Sequence, residues 1–96
     1  MKNYPKGIFK ADIKALRKEE DRYFLILEID DENATQISID VHDSICETAG
    51  VSTISHKLKS SIFENLPATI RISNLNGYWK IQNEAELLSD AISKSL

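Results

Sequence analysis

Apolar and polar residues alternate along three segments in the first half of the chain: GIFKADIKAL (7–16), RYFLILEID (22–30) and TQISIDV (35–41). This period of two is typical of strands, because successive side chains point to opposite faces. Helix formers are frequent in residues 11–20, but the strict alternation favours a strand there. With KEED and DDEN as polar turns, we predict an antiparallel meander. Its buried face is formed by Phe9, Ala11, Ile13 and Ala15; Tyr23, Leu25, Leu27 and Ile29; and Ile37, Ile39 and Val41.

The next segment predicts two helices. The first is short, with a capping box at its start and a glycine at its end, formed by Ser44, Glu47 and Gly50. In the second, apolar residues recur every four positions at Ile54, Leu58 and Ile62. Ser52 or Thr53 is its predicted cap, and Pro67 ends it.

The last third of the chain predicts a hairpin followed by a helix. ATIRIS (68–73) and GYWKIQ (77–82) alternate as strands, and Asn76-Gly77 between them favours a type I′ turn. A final helix starts near Glu84, after Asn83 as its cap, and carries Leu87, Leu88, Ala91 and Ile92 on one face.

The elements follow the order βββαββα in one domain, residues 1–96. We therefore predict an α+β fold: a five-stranded antiparallel sheet or a small OB-like barrel, with a C-terminal helix. The order matches that of a five-stranded OB-type barrel, in which a helix lies between the third and fourth strands.

The second strand is apolar on both sides. If Tyr23, Leu25 and their neighbours face the core, Phe24 and Ile26 need another cover. The C-terminal helix, a partner protein or a second copy of the chain can supply it. The candidate interaction surface consists of Phe24, Ile26, Glu28, Asp40 and Tyr78.

Charge is distributed unevenly along the chain, whose net charge is −3. No Lys or Arg occurs from Tyr23 to His56, where seven acidic residues fall: Glu28, Asp30, Asp31, Glu32, Asp40, Asp43 and Glu47. We expect contacts between basic and acidic strands to balance much of this charge. The remaining acidic surface favours a basic partner.

Composition narrows the class of protein. The chain is 42% hydrophobic and 28% charged, as folded globular proteins are. No apolar run approaches the ~20 residues of a membrane helix, so no membrane association is expected. The N-terminal segment MKNYPKGIFK lacks the apolar core of a secretory signal. With a single cysteine, a reducing cytoplasm is the expected location.

The single cysteine and both histidines fall in residues 42–56, at Cys46, His42 and His56. A structural zinc site needs four ligands, usually with paired cysteines, so neither a metal nor a cofactor is expected. A Cys46 thiolate activated by His42 needs a third group to orient the ring, and the acidic surroundings raise the pKa of the thiol. We expect no catalytic residues and no enzyme activity.

AGVS followed by TIS (residues 49–55) resembles the turn of repressor-type helix-turn-helix domains. The resemblance covers about twenty residues and ends after the turn, because His56 and Lys59 would occupy core positions of the recognition helix. The sequence thus predicts a small non-catalytic binding domain that acts on a protein partner, as inhibitor, immunity and adaptor proteins do. The alternative is single-stranded nucleic-acid binding by an OB-like barrel face, through Phe24, Tyr78, Trp79 and flanking cations.

Overall fold

The computed structural model describes residues 6–95. Residues 1–5, part of the segment considered above for an export signal, and residue 96 lie outside the described range. The elements are β1 (Gly7–Glu19), β2 (Arg22–Ile29), β3 (Gln36–Asp40), α1 (His42–Ala49), α2 (His56–Asn65), β4 (Thr69–Asn74), β5 (Trp79–Ile81) and α3 (Glu84–Ser95). The predicted α+β class, the succession of five strands and the C-terminal helix are confirmed, and two helices, α1 and α2, lie between β3 and β4. Within residues 6–95, no helix is both long enough and apolar enough to cross a membrane.

The five strands form one sheet in the order β3-β2-β1-β4-β5, and every neighbouring pair is antiparallel. The sheet curls into a half-barrel. β3 and β5 form its two edges and are not hydrogen-bonded to each other in the described structure. The long β1 lies in the centre, so the two halves of the sheet lie on either side of it.

One face of the sheet is buried beneath the three helices. β2 and β3 place their predicted residues there, with Leu25 and Leu27 fully buried. The helices contribute the other half of the same core, through Ile45, Ile62, Leu88, Ala91 and Ile92. Burial of each large aliphatic side chain contributes about 1.5–3 kcal/mol to folding, so this shared core is what holds the helices to the sheet.

A bulge in β1 overturns part of the predicted alternation. Ile13 lies opposite Leu27, but Ala15 lies opposite Ile26, so Lys14 is the extra residue. An extra residue reverses the facing of the strand beyond it. Ala15 therefore points away from the core, against the prediction, and Leu16 packs on the core instead.

The predicted caps of the first two helices were wrong, although Gly50 ends α1 as predicted, in the left-handed region at φ 70°. The N-cap of α1 is Val41, three residues before the predicted Ser44, and its side chain makes no capping hydrogen bond. The cap of α2 is Ser55, whose hydroxyl accepts a hydrogen bond from the Leu58 N–H at 3.1 Å. Several serines and threonines precede α2, and the packing of Ile54 and Leu58 on the core selects which one caps it.

The β4–β5 connection is longer than a type I′ turn. Asn74 pairs with Trp79, which leaves a four-residue loop, residues 75–78. Gly77 has positive φ, but Asn76 does not, whereas a type I′ turn needs both. Trp79 packs edge-on against Phe9 at 5.9 Å between ring centroids. This contact is made in the register in which Asn74 pairs with Trp79.

Candidate interaction surface

The side of the sheet that faces away from the helices carries four of the five predicted site residues. In the strand register, Phe24 lies between Arg17 and Asp40, Ile26 lies between Ala15 and Ser38, and Glu28 lies between Asp12 and Gln36. We call these nine residues the β1–β3 outer face. The fold thus brings Phe24, Ile26, Glu28 and Asp40 together.

The centre of this face lies outside the core that forms between the sheet and the three helices. Phe24 and Ile26 are half-buried, and neither belongs to the core or packs against it. The cross-strand neighbours of Ile26 are the small side chains of Ala15 and Ser38. Only small side chains therefore flank Ile26 on the two neighbouring strands.

Basic and acidic strands neutralise each other around this apolar centre, as expected. Lys14 Nζ lies 3.6 Å from a carboxylate oxygen of Glu28. Arg22 donates from Nε to Asp40 and from Nη2 to Asp43, the latter at 2.9 Å. Partial burial acts to raise the pKa of Asp40, but the hydrogen bonds from Arg22 and from the His42 N–H together lower it. The Asp40 carboxylate is thus ionised and fixed in place.

Unneutralised acidic charge lies at one end of the face, in the β2–β3 loop. Asp30, Asp31 and Glu32 are exposed there, and none forms an ion pair within residues 6–95. Asp31 accepts hydrogen bonds from the Thr35 N–H at 3.0 Å and the Thr35 hydroxyl at 2.9 Å, and these bonds lower its pKa. The face therefore combines an apolar centre with an acidic end.

Tyr78, the fifth predicted residue, lies elsewhere. It is 74% exposed in the β4–β5 loop, on the far side of β1 from β2 and β3. Along β1, Ile8 faces the β4–β5 half and Arg17 lies opposite Phe24; these two positions are about 30 Å apart at the usual rise per residue. Tyr78 and Phe24 do not form one surface.

A row of cations lies on the outer side of the β4–β5 half. Lys10 and Arg71 are directly opposite each other, and Lys80 lies on the neighbouring strand. All three are exposed, and none forms an ion pair with another described residue. Trp79, which the nucleic-acid alternative placed beside Tyr78, is half-buried on the core side against Phe9.

Cys46 and His42 contact each other on α1. The Cys46 sulfur lies 3.7 Å from His42 Nε2 and 3.8 Å from the Ser52 carbonyl oxygen. The imidazole stacks on Tyr23 at 5.7 Å between ring centroids, and its Nδ1 is buried without a hydrogen-bond partner in the described structure. Asp40 accepts the backbone N–H of His42 and does not orient the ring.

The electrostatic setting of Cys46 disfavours a thiolate. Burial, and then the negative charge of Asp43, raise the pKa of the thiol, while Arg22 lowers it by less. His42 also lines an open depression of about 400 Å³. No group of three His, Cys, Asp or Glu side chains within residues 6–95 is arranged to hold a metal ion. That the chain is not an enzyme stays a prediction, supported by the raised pKa of the Cys46 thiol.

The helix-turn-helix resemblance is not accompanied by that geometry. Six residues, 50–55, separate α1 from α2, whereas the motif joins its helices through three or four. Ile54 and Leu58 pack on the core of an α+β domain, so α2 belongs to the layer of helices that covers the sheet.

Comparison with protein-family models, with curated protein sequences and with solved structures found no match to this chain. The residues and contacts of the chain itself therefore carry the functional interpretation. Among the predicted site residues, the largest group that the fold brings together lies on the β1–β3 outer face.

Proposed function

We propose that the protein is a non-catalytic binding domain that holds a protein partner against the β1–β3 outer face. The supporting observation is the pair Phe24 and Ile26, which lies in the middle of the sheet face opposite the core and is only partly buried. A partner that removes the exposed parts of these side chains from water gains about 25 cal/mol for each Å² of apolar surface. Buried aromatic and aliphatic anchors of this kind often dominate the affinity of an interface.

The charges around the apolar centre indicate the chemistry of the partner. Glu28 and Asp40 are already paired with Lys14 and Arg22, so they frame the site without a large net charge. The unpaired carboxylates are those of the β2–β3 loop, residues 30–32. We therefore infer a partner that presents apolar side chains to Phe24 and Ile26 and a basic group to this loop. A cytoplasmic setting is part of the same proposal, supported by the single free cysteine.

The test is a titration of a purified partner, first identified by affinity capture from the organism's own cytosol. Ile26→Lys places a charge in the apolar centre and adds repulsion against a basic partner. We expect the dissociation constant to rise by at least about tenfold, because one lost anchor costs more than ~1.4 kcal/mol. Lys80→Ser is the matched control, since Lys80 is an exposed strand residue in the other half of the sheet. Equal affinity of the wild type and Ile26→Lys would contradict the proposal.

Single-stranded nucleic-acid binding is the second candidate, and the cation row favours it. Lys10, Arg71 and Lys80 lie on one side of the sheet, and the exposed Tyr78 precedes Lys80 by two residues. Cations together with an exposed aromatic ring can bind phosphates and stack bases. Fluorescence anisotropy with a labelled oligothymidylate distinguishes the two functions. Nucleic-acid binding predicts an affinity that falls steeply with salt and is lost in Arg71→Glu but kept in Ile26→Lys. If the function is protein binding, Ile26→Lys weakens binding of the partner and Arg71→Glu leaves it unchanged.

A further inference from the structure

β3 is an edge strand whose outer hydrogen-bonding groups can be assigned. The Ile29 N–H donates to the Thr35 carbonyl at 2.8 Å, and the Val41 N–H donates to the Tyr23 carbonyl at 2.9 Å. These bonds show that the odd-numbered residues of the segment 35–41 direct their backbone N–H and C=O groups toward β2. In an antiparallel ladder the alternate residues turn their N–H and C=O groups the other way. Gln36, Ser38 and Asp40 therefore point their backbone groups away from the sheet.

These outward groups have no hydrogen-bond partner within residues 6–95. Gln36, Ser38 and Asp40 are exposed, and their strand carries no lysine, no proline and no bulge. Proteins usually protect a free edge with one of these devices, because an unprotected edge pairs with another strand. The one charged side chain of the strand, Asp40, is paired with Arg22. The edge of β3 is thus open to strand addition.

The sequence of this edge is nearly symmetric about Ser38. If two copies pair antiparallel with Ser38 opposite Ser38, Gln36 of each copy lies opposite Asp40 of the other. A side-chain amide then donates to a carboxylate, which keeps unused lone pairs beside its bonds to Arg22 and His42. On the core side, Ile37 lies opposite Ile39, an aliphatic pair that stabilises sheets.

We propose that two copies of the chain form a twofold-symmetric dimer through antiparallel pairing of their β3 edges, centred on Ser38. The three outward-facing residues of each strand then form three hydrogen-bonded pairs, with about six main-chain bonds between the copies. In any other antiparallel register that pairs the outward-facing residues, one strand is shifted by at least two residues relative to the other. Such a register forms fewer than three hydrogen-bonded residue pairs. The centred register also separates the two Asp40 carboxylates, which a shifted register can place opposite each other.

The dimer and the proposed protein-binding function both involve β3 but depend on different groups. The dimer uses the outward main-chain groups of Gln36, Ser38 and Asp40, whereas partner binding depends on the side chains of Phe24 and Ile26 on β2. Strand addition at β3 joins two sheets edge to edge and does not cover the half-buried Phe24 and Ile26 on the outer face. Ile26→Lys is therefore expected to leave the dimer intact, and loss of the dimer leaves the apolar centre in place. The two proposals can fail independently.

The first test blocks the edge without changing the fold. The Ser38 N–H points away from β2, so Ser38→Pro removes no hydrogen bond inside the chain, and proline is tolerated at such edge positions. Sedimentation equilibrium of the wild type and of Ser38→Ala is expected to give the mass of two chains. In Ser38→Pro, two intermolecular donors are lost, and the dissociation constant rises by about thirtyfold or more. Circular dichroism verifies that this variant is folded.

The second test determines by disulfide crosslinking which residues of the two β3 strands lie opposite each other, in a Cys46→Ser background. Cα atoms of a hydrogen-bonded antiparallel pair are about 5.5 Å apart, within the range that a disulfide spans. Ser38→Cys therefore crosslinks two chains under mild oxidation. Gln36→Cys is the control, because the two copies of residue 36 are about 14 Å apart along the strands. A monomeric wild type at the highest soluble concentration, or crosslinking of Gln36→Cys in place of Ser38→Cys, overturns the proposal.

Discussion

Leu27 and Ile26 are neighbours on β2 that point to opposite faces, and truncation of each measures how far its face is buried. Leu27 is fully buried in the core between sheet and helices. Ile26 is half-buried on the outer face and contacts no part of the core. The variants Leu27→Ala and Ile26→Ala lie on the same strand and lose a similar aliphatic volume, so the difference between them reports the two environments.

The expected magnitudes follow from burial. A Leu→Ala change in a fully packed core removes transfer free energy and leaves a cavity, at a cost of about 3 kcal/mol. Ile26→Ala loses only part of its burial and opens no enclosed cavity, so we expect about 1 kcal/mol. For a domain of this length, each kcal/mol lowers the melting temperature by about 4–8 °C. Leu27→Ala should therefore melt about 12–24 °C below the wild type, against about 4–8 °C for Ile26→Ala.

Urea denaturation followed by the fluorescence of Trp79, the single tryptophan, measures both changes. Equal m-values for the three proteins are required for the comparison, since m reports the surface exposed on unfolding. If Ile26→Ala costs as much as Leu27→Ala, the outer face is covered within the chain itself and is not available as a binding surface. If both cost about 1 kcal/mol, the assignment of the core is wrong.

Three further outcomes test local features. Ser55→Ala should cost about 1 kcal/mol in urea denaturation through loss of the α2 cap, whereas Ser52→Ala should cost almost nothing; equal costs would refute this capping assignment. The pKa of Asp40 is lowered in the folded state, so its ionised carboxylate stabilises the fold. This stabilisation is fully present above the unfolded pKa, about 3.9, and is lost as the pH falls through the folded pKa. Urea midpoints should therefore fall less on acidification in Asp40→Asn than in the wild type, and identical pH profiles would contradict the lowered pKa. Because the pKa of Cys46 is raised, a thiol reagent at neutral pH should label the native protein much more slowly than the urea-unfolded chain; comparable rates would reopen the possibility of a reactive cysteine.

Much of the buried face was predictable from alternation alone. Tyr23, Leu25, Leu27 and Ile29 follow a period of two between clear turns, and all four are buried. Features that depend on competition between neighbouring residues were not predictable in this way. The cap of α2 is one of several nearby hydroxyl residues, and its position is set by how Ile54 and Leu58 reach the core.

The candidate surface was only partly predictable, because strand order decides which residues meet. Phe24, Ile26, Glu28 and Asp40 lie on consecutive strands that pair directly, so the meander predicted in the sequence brings them together. Tyr78 follows β4, which pairs with β1 on the side away from β2. Alternation specifies the face on which a side chain lies, but it does not specify the edge of the sheet at which its strand is added.

The bulge at Lys14 shapes both the core and the proposed binding surface. In a regular strand, Leu16 would lie on the outer face opposite Phe24, and Ala15 would point into the core opposite Leu25. The extra residue instead brings Leu16 onto the core and places Arg17 opposite Phe24. The core gains a leucine, and the outer face loses one that would have joined Phe24 and Ile26 in a larger apolar patch prone to aggregation. The outer face keeps an apolar pair, Phe24 and Ile26, bordered by charged and small side chains. A pair of this size can stay in contact with water in the free protein, and a complementary partner can still bury it.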